Sequence, residues 1–594
     1  MKWKNDDKKI CHRLLRTWSD KLLELQVKEI ADPDLRGGIL CPACGRIHGR
    51  CLDAIYPFLY MADKEQEPQY LEGAKLLFAW AERCVSREDG SYLNDTNSDW
   101  KGTTVFAVIQ LIEALQYHGH LLDEETYRIW KERAAKGAEF LYSFHEFEVC
   151  NINYCSTNCL AMELCGRFFE EEKYQKRGQE LADLAFSHLT DSGLLYGEGR
   201  PTDGLSPKGC RSVDVGYNVE ESLPSLVQYV CLTGDEKRKA EISRALRYHS
   251  FFFVDDGGID NSFGTRNYKW TYWGSRTSDG CALGYLQAAD WEPDFGTIAL
   301  KNLRLLEKCT CGGFLFPGPG TCERTEPACI HHMFSRAKVL AGILDRGLER
   351  NLQDGTVPRM KQEGIVLAPE LDTYFVTKSS YTATVTGYDW EYLGLPGGHA
   401  SGGTLSFFWH QKAGLLLCAS MCRYNLREAN NMQLPRFSRH QCITPRLEYD
   451  SGGTVYSSMY DYKSVLTWEN TEKETVICVR GSLTDIQQNR LSGRVGEYLI
   501  KYYFEENGIR IFVKADLNPT FLFPVVIRPG EKIDAEPGLV RIKDQNSDIR
   551  IQMKKGISAL PNGPESIYNL VPGVEALNVM MQPDMGEIEF FFSF

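Results

Sequence analysis

Several features that would define a function class are missing from this chain. No stretch of its 594 residues approaches the roughly 18 consecutive apolar residues that a membrane span requires, so no membrane partner is expected. Lys and Arg are dispersed among a larger number of acidic residues, with a net charge of −13 and no basic run, which argues against nucleic acid as a partner. The amino-terminal MKWKNDDKKICHRLLRTW is charged and lacks the apolar core of a secretory signal. Neither G-x-x-x-x-G-K-[ST] nor H-E-x-x-H occurs. The Gly-rich strings GGHASGG and PGPG do not join a strand to a helix, so a phosphate cradle is not expected. Cysteine, by contrast, is abundant, with twenty residues. Cys159, Cys165, Cys231 and Cys281 fall inside helical patterns, where they read as small buried apolar residues. Without a signal segment, a reduced cytoplasmic setting is expected rather than a disulfide framework.

With 43% hydrophobic residues the chain can build more than one core. Six times in the first 350 residues a polar, aromatic-rich loop runs into an apolar-periodic helix, and a second helix follows. The junctions centre near His48, Gly102, Tyr154, Tyr217, Arg276 and His331, spaced by 54, 52, 63, 59 and 55 residues. This period is too long for a tetratricopeptide or ankyrin solenoid and fits one helical hairpin plus a long loop. Six hairpins closing on themselves make an (α/α)6 toroid whose inner-helix loops gather at one rim. The outer helices carry start and stop signals, such as Asp123 as an N-cap and the Gly234-Asp235 pair between two helices. The amphipathic segment 8–30 is expected to close the ring against 331–346. Short elements after the outer helices (DGSYLND, SGLLYGEG, GGIDNSFG, GGFLFPGPG) read as a small strand or turn.

Near residue 365 the hydrophobic period changes from 3.6 to 2, and strings such as GTLSFFW, ETVICVRGSL, EYLIKYYF and EIEFFFSF read as strands. YYFEENGIRIFV carries an Asn507-Gly508 hairpin signal. The expected organisation is a catalytic toroid over 1–365 and an antiparallel β-sandwich over 366–594.

This order of domains resembles heparinase-II/III-like polysaccharide lyases and related glycoside hydrolases over nearly the whole chain. The strings HGRCLDAIYPFLYMA, WTYWGSRTSDG and GGHASGGTLSFFWHQKAGLLLCASM look most like glycoside hydrolase family 154, a resemblance that implies β-glucuronidase activity. A glycan containing uronic acid is therefore the expected partner, and an exo-acting β-glucuronidase the leading expectation. A lyase cleaving at a uronate by β-elimination is the alternative. A homo-oligomer is left open.

The rim supplies residues for either chemistry. In the fifth loop Trp270, Tyr272 and Trp273 suit a platform for sugar rings, although Trp270 could instead wedge between hairpins, and Arg276 could pair with a uronate carboxylate or form a structural salt bridge. Hydrolysis needs two carboxyl groups across the anomeric carbon. Glu220 or Glu221, in the first turn of an inner helix, would face Asp279, with Asp214 and Glu198 in reserve. Acids in a first helical turn are also common for dipole reasons alone. Elimination instead needs the uronate carboxylate neutralised and the adjacent proton removed by Tyr or His. Asn153, Asn158, Tyr154 or Tyr217, and His399 could supply that set. His48 and Arg50 in the first loop and His332 in the sixth read as further substrate contacts, with Asp99 and Trp100 as weaker ones.

No cofactor is expected. Cys41 and Cys44 form a C-x-x-C with His48 four positions on. A structural zinc there, approached by Cys309, Cys311, Cys322 or Cys329, is the minor alternative to ordinary reduced thiols.

Overall fold

The computed structural model describes residues 7–95, 98–199, 204–322, 327–391, 397–421, 442–470, 474–491, 496–545, 547–560, 566–569 and 572–594. Twelve helices build the first part of the chain among them: α1 Ile10–Glu24, α2 Ile55–Lys64, α3 Pro68–Cys84, α4 Thr103–His118, α5 Glu124–Ser143, α6 Ile152–Phe169, α7 Glu172–Ser187, α8 Leu223–Thr233, α9 Glu236–Ser250, α10 Ala282–Gln287, α11 Pro293–Lys308 and α12 His331–Asp345. The even-numbered helices pack on one another in sequence, and α12 returns to α2, so they form a closed inner ring. Each inner helix pairs with one outer helix, and α12 takes the amino-terminal α1 as its partner. The expected ring closure by segment 8–30 is therefore present.

The division into inner and outer helices follows from burial. α4 is buried from Thr103 to Leu115 on every face, because the ring interior covers one side and α5 the other. The outer helices are amphipathic: α9 buries only Arg238, Ile242, Ala245, Leu246, His249 and Ser250. Their caps are those read from the sequence. Asp123 Oδ1 accepts from the Thr126 amide at 2.9 Å, Asp235 Oδ1 from the Arg238 amide at 3.1 Å, and Gly234 closes α8 at φ +69°.

The short elements after the outer helices form small antiparallel bridges, Ser86 with Tyr92, Leu189 with Leu195, Phe253 with Ile259, and Thr310–Cys311 with Phe314–Leu315. Gly90 and Gly257 both sit at φ +93° in such turns. A Cβ there would lie 2.2 Å from the Lys136 carbonyl oxygen and 2.1 Å from that of Lys301, on the next outer helix in each case. Only glycine lets the return turn lie directly against the neighbouring hairpin. The internal duplication is thus expressed as a repeated close contact.

From Gly364 onward the regular elements of the described residues are strands, apart from short 3-10 turns at Pro369–Leu371 and Ser458–Tyr460. A five-stranded antiparallel sheet (Gly364–Ala368, Thr373–Lys378, Tyr381–Thr386, Thr404–His410, Gly414–Cys418) is followed by six- and eight-stranded sheets that form the sandwich. The Asn507-Gly508 signal does mark a hairpin, with Glu505 opposite Gly508 as the closing pair. Apart from its edge strand Gly364–Ala368, the five-stranded sheet is buried on both faces. Phe375, Phe407, Trp409 and Cys418 belong to the toroid core, while the alternate residues Tyr374, Val376, Phe408 and Leu417 belong to the sandwich core.

One ion pair bolts this sheet to the toroid. Arg359, with no exposed surface, donates from Nη1 to Asp260 at 2.7 Å, from Nε to Thr382 Oγ1 at 2.7 Å, and from Nη2 to the Ala383 carbonyl and Thr384 Oγ1. No helix among the described residues is long and apolar enough to cross a membrane.

Candidate active site

The inner helix entered from the fourth loop does not begin as a regular α-helix. Asp214 Oδ1 caps a single turn, Val215–Tyr217, by accepting from the Tyr217 amide at 3.0 Å, and a π-helical turn over Asn218–Ser222 precedes α8. A π turn is wider than an α turn and is frequent at functional sites. Here it sends the two adjacent glutamates to different neighbours. Glu220 turns to the fifth loop and α12, where its carboxylate accepts from the Ser275 amide at 2.7 Å, from the Ser278 hydroxyl and from Arg336 Nη2. Burial pushes its acidity toward higher pH, opposed by Arg336 and Ser278. Arg336 in turn lies 3.9 Å from the Trp273 ring centroid. Glu220 is thus fully buried and paired with Arg336, and it also lines a cavity together with Glu221. Glu221 points to the centre of the ring and accepts from Asn153 Nδ2 on α6.

Beside Glu221 lies a balanced cluster of charge. Arg50 donates to Asp53 through Nε at 3.1 Å and Nη2 at 2.9 Å, to the Thr277 carbonyl through Nη1 at 2.9 Å, and to Asp279. Lys338 Nζ, from α12, lies 3.1 Å from Asp53 and 2.8 Å from Asp279. Burial would raise Asp279, but Lys338 and Arg50 together hold it below the usual carboxylate range. Two cations and two carboxylates leave no net charge to compensate a third buried acid. Burial, and then the charge of Asp279, push Glu221 up to about 7. A narrow cavity beside this cluster is lined by both Glu220 and Glu221, with Asp279, Thr157, Gln228 and Lys338.

This balance makes a stability prediction. A carboxyl whose folded pKa is raised from 4.5 to about 7 binds its proton more tightly in the native state. Its contribution is fully present below pH 4.5 and lost as pH rises through 7. Urea denaturation at a series of pH values from 5 to about 8.5 should therefore show stability falling, by on the order of 2–3 kcal/mol from this group. Glu221→Gln should flatten that slope. A variant that keeps the full wild-type slope would assign it to another group.

Tyr217, itself buried, joins this cluster through Thr277. Its hydroxyl is 2.5 Å from Thr277 Oγ1, which also accepts from Lys269 Nζ at 3.1 Å. The Arg266 guanidinium covers the Tyr217 ring at 4.0 Å from the centroid and pairs with Glu198 and, at 3.3 Å, with Asp214. Thr277 adopts φ +64°, a strained conformation for a β-branched residue, and it is held there by the three groups it joins. Tyr154 lies within electrostatic reach of Glu221 and Arg266, and its hydroxyl accepts from Trp100 Nε1 at 2.9 Å. Residues of the first, second, third, fourth, fifth and sixth junctions thus meet at one centre, and Thr277, Asp279, Tyr154 and Trp100 are its least buried members.

Several residues expected at the rim lie elsewhere. Trp270 is buried against Phe407 of the five-stranded sheet and donates to the Ile259 carbonyl at 2.8 Å. Trp273 is buried between Arg336 and His332 and donates to the Phe316 carbonyl at 2.6 Å. Tyr272 is buried and donates to Asp256. The expected sugar platform is therefore a wedge between hairpins and sandwich: large rings in a polar loop are satisfied by burial once each polar tip finds a partner. Arg276 is buried too, donating to the Tyr268 carbonyl in its own loop, which leaves the carboxylate-clamp role without support. His332 bonds the Leu315 carbonyl through Nδ1 at 3.1 Å, and burial pushes it down to about 3. His48 faces Asp95 and Cys329 rather than the centre. Asn158 is buried at the Leu141 carbonyl. His399 stands on the sandwich side, stacked on Tyr462 and against Tyr388, whose hydroxyl bonds the Arg211 carbonyl of the fourth loop.

Arg266, Lys269, Thr277 and Lys338 were not singled out from the sequence. Arg336 and Lys338 had a readable signal, since two cations inside the otherwise apolar α12 demand buried anions. His331 is the histidine of the tandem with both ring nitrogens unpartnered, and burial, then Arg50, hold it well below its usual range.

Two family models match nearly the whole chain, the ulvan lyase N-terminal domain over residues 15–362 and the ulvan lyase C-terminal domain over 367–593. A broad-specificity ulvan lyase from Formosa agariphila is 35% identical over 583 residues, covering 96% of this chain and 91% of that protein. Among solved structures, heparinase III aligns with a TM-score of 0.56 at 10% identity, over all of this chain and 85% of its own. A Streptomyces coelicolor chondroitin AC lyase aligns with a TM-score of 0.51 at 11% identity, over 98% and 79%. At these identities the solved structures establish the toroid-plus-sandwich fold alone. The family matches overturn the expectation of a glycoside hydrolase of family 154 and of β-glucuronidase activity, because both matched domains and the 35% relative are those of lyases. The resemblance of domain order was shared by both groups, and the strings quoted for the hydrolase did not separate them.

Proposed function

Because the chain belongs to the ulvan lyase family, enzymes that act on polysaccharide, we propose that it cleaves a uronic-acid-containing polysaccharide of the ulvan type by β-elimination at the Tyr217 centre. The observation that carries this reading is the setting of Tyr217, a phenol at a junction of six loops with a guanidinium on its ring face and a hydroxyl relay to an ammonium.

Elimination from a uronate removes the proton next to the carboxylate and expels the oxygen on the neighbouring carbon. The first step places negative charge on the carboxylate and requires a base, and the second requires a proton for the leaving oxygen. Tyr217 is suited to both, since cations around it stabilise negative charge on its oxygen in the intervening state. Asn153 and the proton-retaining Glu221 form a donor pair suited to a substrate carboxylate, hydrogen-bonding it without adding negative charge. The Arg50–Asp279–Lys338 cluster fixes the Thr277 carbonyl, and so the position of the Thr277 hydroxyl. Arg266 and Lys269 place two cations beside Tyr217, the first shared with Glu198 and Asp214.

The direct test is the product. Incubation with ulvan should yield oligosaccharides that absorb in the ultraviolet, from the new double bond conjugated to the carboxylate, with masses summing to that of the parent. Saturated fragments that have gained water at the cleaved bond would refute elimination.

A further inference from the structure

The first and sixth loops bring four ligand-type side chains into mutual contact away from the catalytic centre. Cys41 Sγ lies 3.9 Å and Cys44 Sγ 3.6 Å from Cys329 Sγ, and His48 Nε2 is 3.6 Å from the same sulfur. All four donor atoms fall within 4.8 Å of one another, and Cys41, His48 and Cys329 are buried. The sulfur separations are nearly twice a disulfide bond. They match the edges of a tetrahedron around one zinc ion, about 3.8 Å between sulfurs and about 3.6 Å from sulfur to nitrogen when Zn–S is about 2.3 Å and Zn–N about 2.0–2.1 Å.

The surroundings are also those of a built metal site. Cys41 ends the first strand of a small hairpin, Leu40–Cys41 with Arg46–Ile47, and Cys44 lies in its turn. The Cys44 amide points at Cys41 Sγ at 3.4 Å, and Gly45, at φ +65°, donates its amide to the Cys41 carbonyl at 2.8 Å. His48 presents Nε2 to the cluster while its Nδ1 lies 3.4 Å from Asp95 Oδ1. A carboxylate on the far ring nitrogen fixes the orientation and tautomer of a ligating histidine. Three sulfurs and one imidazole in a closed four-donor set favour zinc over the oxygen-seeking cations.

We infer that Cys41, Cys44, His48 and Cys329 form a structural Cys3His zinc site that joins the first and last loops of the toroid. The ligands span 288 residues, so the ion ties together segments that meet only when the ring closes. His48 directly precedes the turn Gly49–Ala54 that carries Arg50, and Cys329 lies two residues before α12, which carries Arg336 and Lys338. The ion would hold the two elements that bracket the charge cluster in register. Because the thiols must ionise to bind, loading releases protons and couples metal affinity to folding.

Elemental analysis of the purified full-length protein should find about one zinc per chain, released to a chromogenic chelator when thiols are blocked with an organomercurial. Cys44→Ser and Cys329→Ser should each lose the metal, whereas Cys84→Ser, at a thiol outside the cluster, should retain it. Protein reloaded with cobalt should show the near-ultraviolet thiolate charge-transfer bands and visible bands of tetrahedral coordination. A wild-type protein that carries no stoichiometric metal as purified, and takes up none after reduction and incubation with zinc, overturns the inference, as does stoichiometric iron in place of zinc. Since the decisive measurement is on wild-type protein, a variant that fails to fold does not blur the outcome.

Discussion

Tyr217→Phe should slow formation of the unsaturated product by about 10²–10⁴-fold, the range that a positioned proton-transfer group contributes. The substitution removes one oxygen. The ring still lies under Arg266 at 4.0 Å, and the hydrogen bond to Thr277 that is lost is worth about 1 kcal/mol to folding. Thermal denaturation of the variant should therefore stay close to wild type while the ultraviolet assay collapses. Tyr154→Phe provides the contrast. That hydroxyl is already engaged by Trp100 Nε1, and its removal should cost less than about tenfold. Should Tyr217→Phe retain activity within about threefold of wild type, the phenol is not the group that moves the proton, and His331 becomes the next residue to test.

The second large effect concerns stability. Arg359→Met should destabilise the protein by about 3–5 kcal/mol, because it leaves Asp260 buried without its countercharge. Every nitrogen of Arg359 has a partner, and those partners lie on both sides of the boundary: Asp260 in the fifth loop, and Thr382, Ala383 and Thr384 in the five-stranded sheet. Calorimetry should show a lower unfolding transition for the single variant. The double variant Asp260→Asn, Arg359→Met should recover part of the loss, since no uncompensated charge remains. A loss below about 1 kcal/mol would mean that apolar contacts alone, Trp270 against Phe407 among them, hold the two halves together. Asp260 begins the stretch that leads to Arg266, Lys269 and Thr277, so a loosened joint should also lower activity.

Position in the sequence was a good guide to the centre and a poor guide to roles within it. Tyr217, Glu221, Asp279, Arg50 and Asn153 do meet, because loops entering adjacent inner helices of a closed ring have nowhere else to converge. Glu220 and Glu221 are neighbours in sequence with similar chemistry, yet a π-helical turn sends one to Arg336 and the other to Asn153. The fifth-loop aromatics misled for a different reason. A tryptophan in a polar loop looks exposed until the surface that buries it is known, and for Trp270 that surface is a strand more than a hundred residues later. The C-x-x-C of Cys41 and Cys44 was half of a ligand set whose other sulfur lies near residue 330.

The sequence by itself determined the element types, the sixfold repeat, the caps and the change from helical to strand periodicity. These depend on side chains a few residues apart, and local spacing encodes them directly. Only the tertiary structure decided which polar groups are anchors, which face the centre and which converge as metal-type ligands. Those assignments rest on contacts such as Arg50 with Asp279, Glu220 with Arg336 and Cys41 with Cys329, across 229, 116 and 288 residues. The energy of a buried charge or thiol is set by what the closed ring places beside it, and no local pattern carries that information.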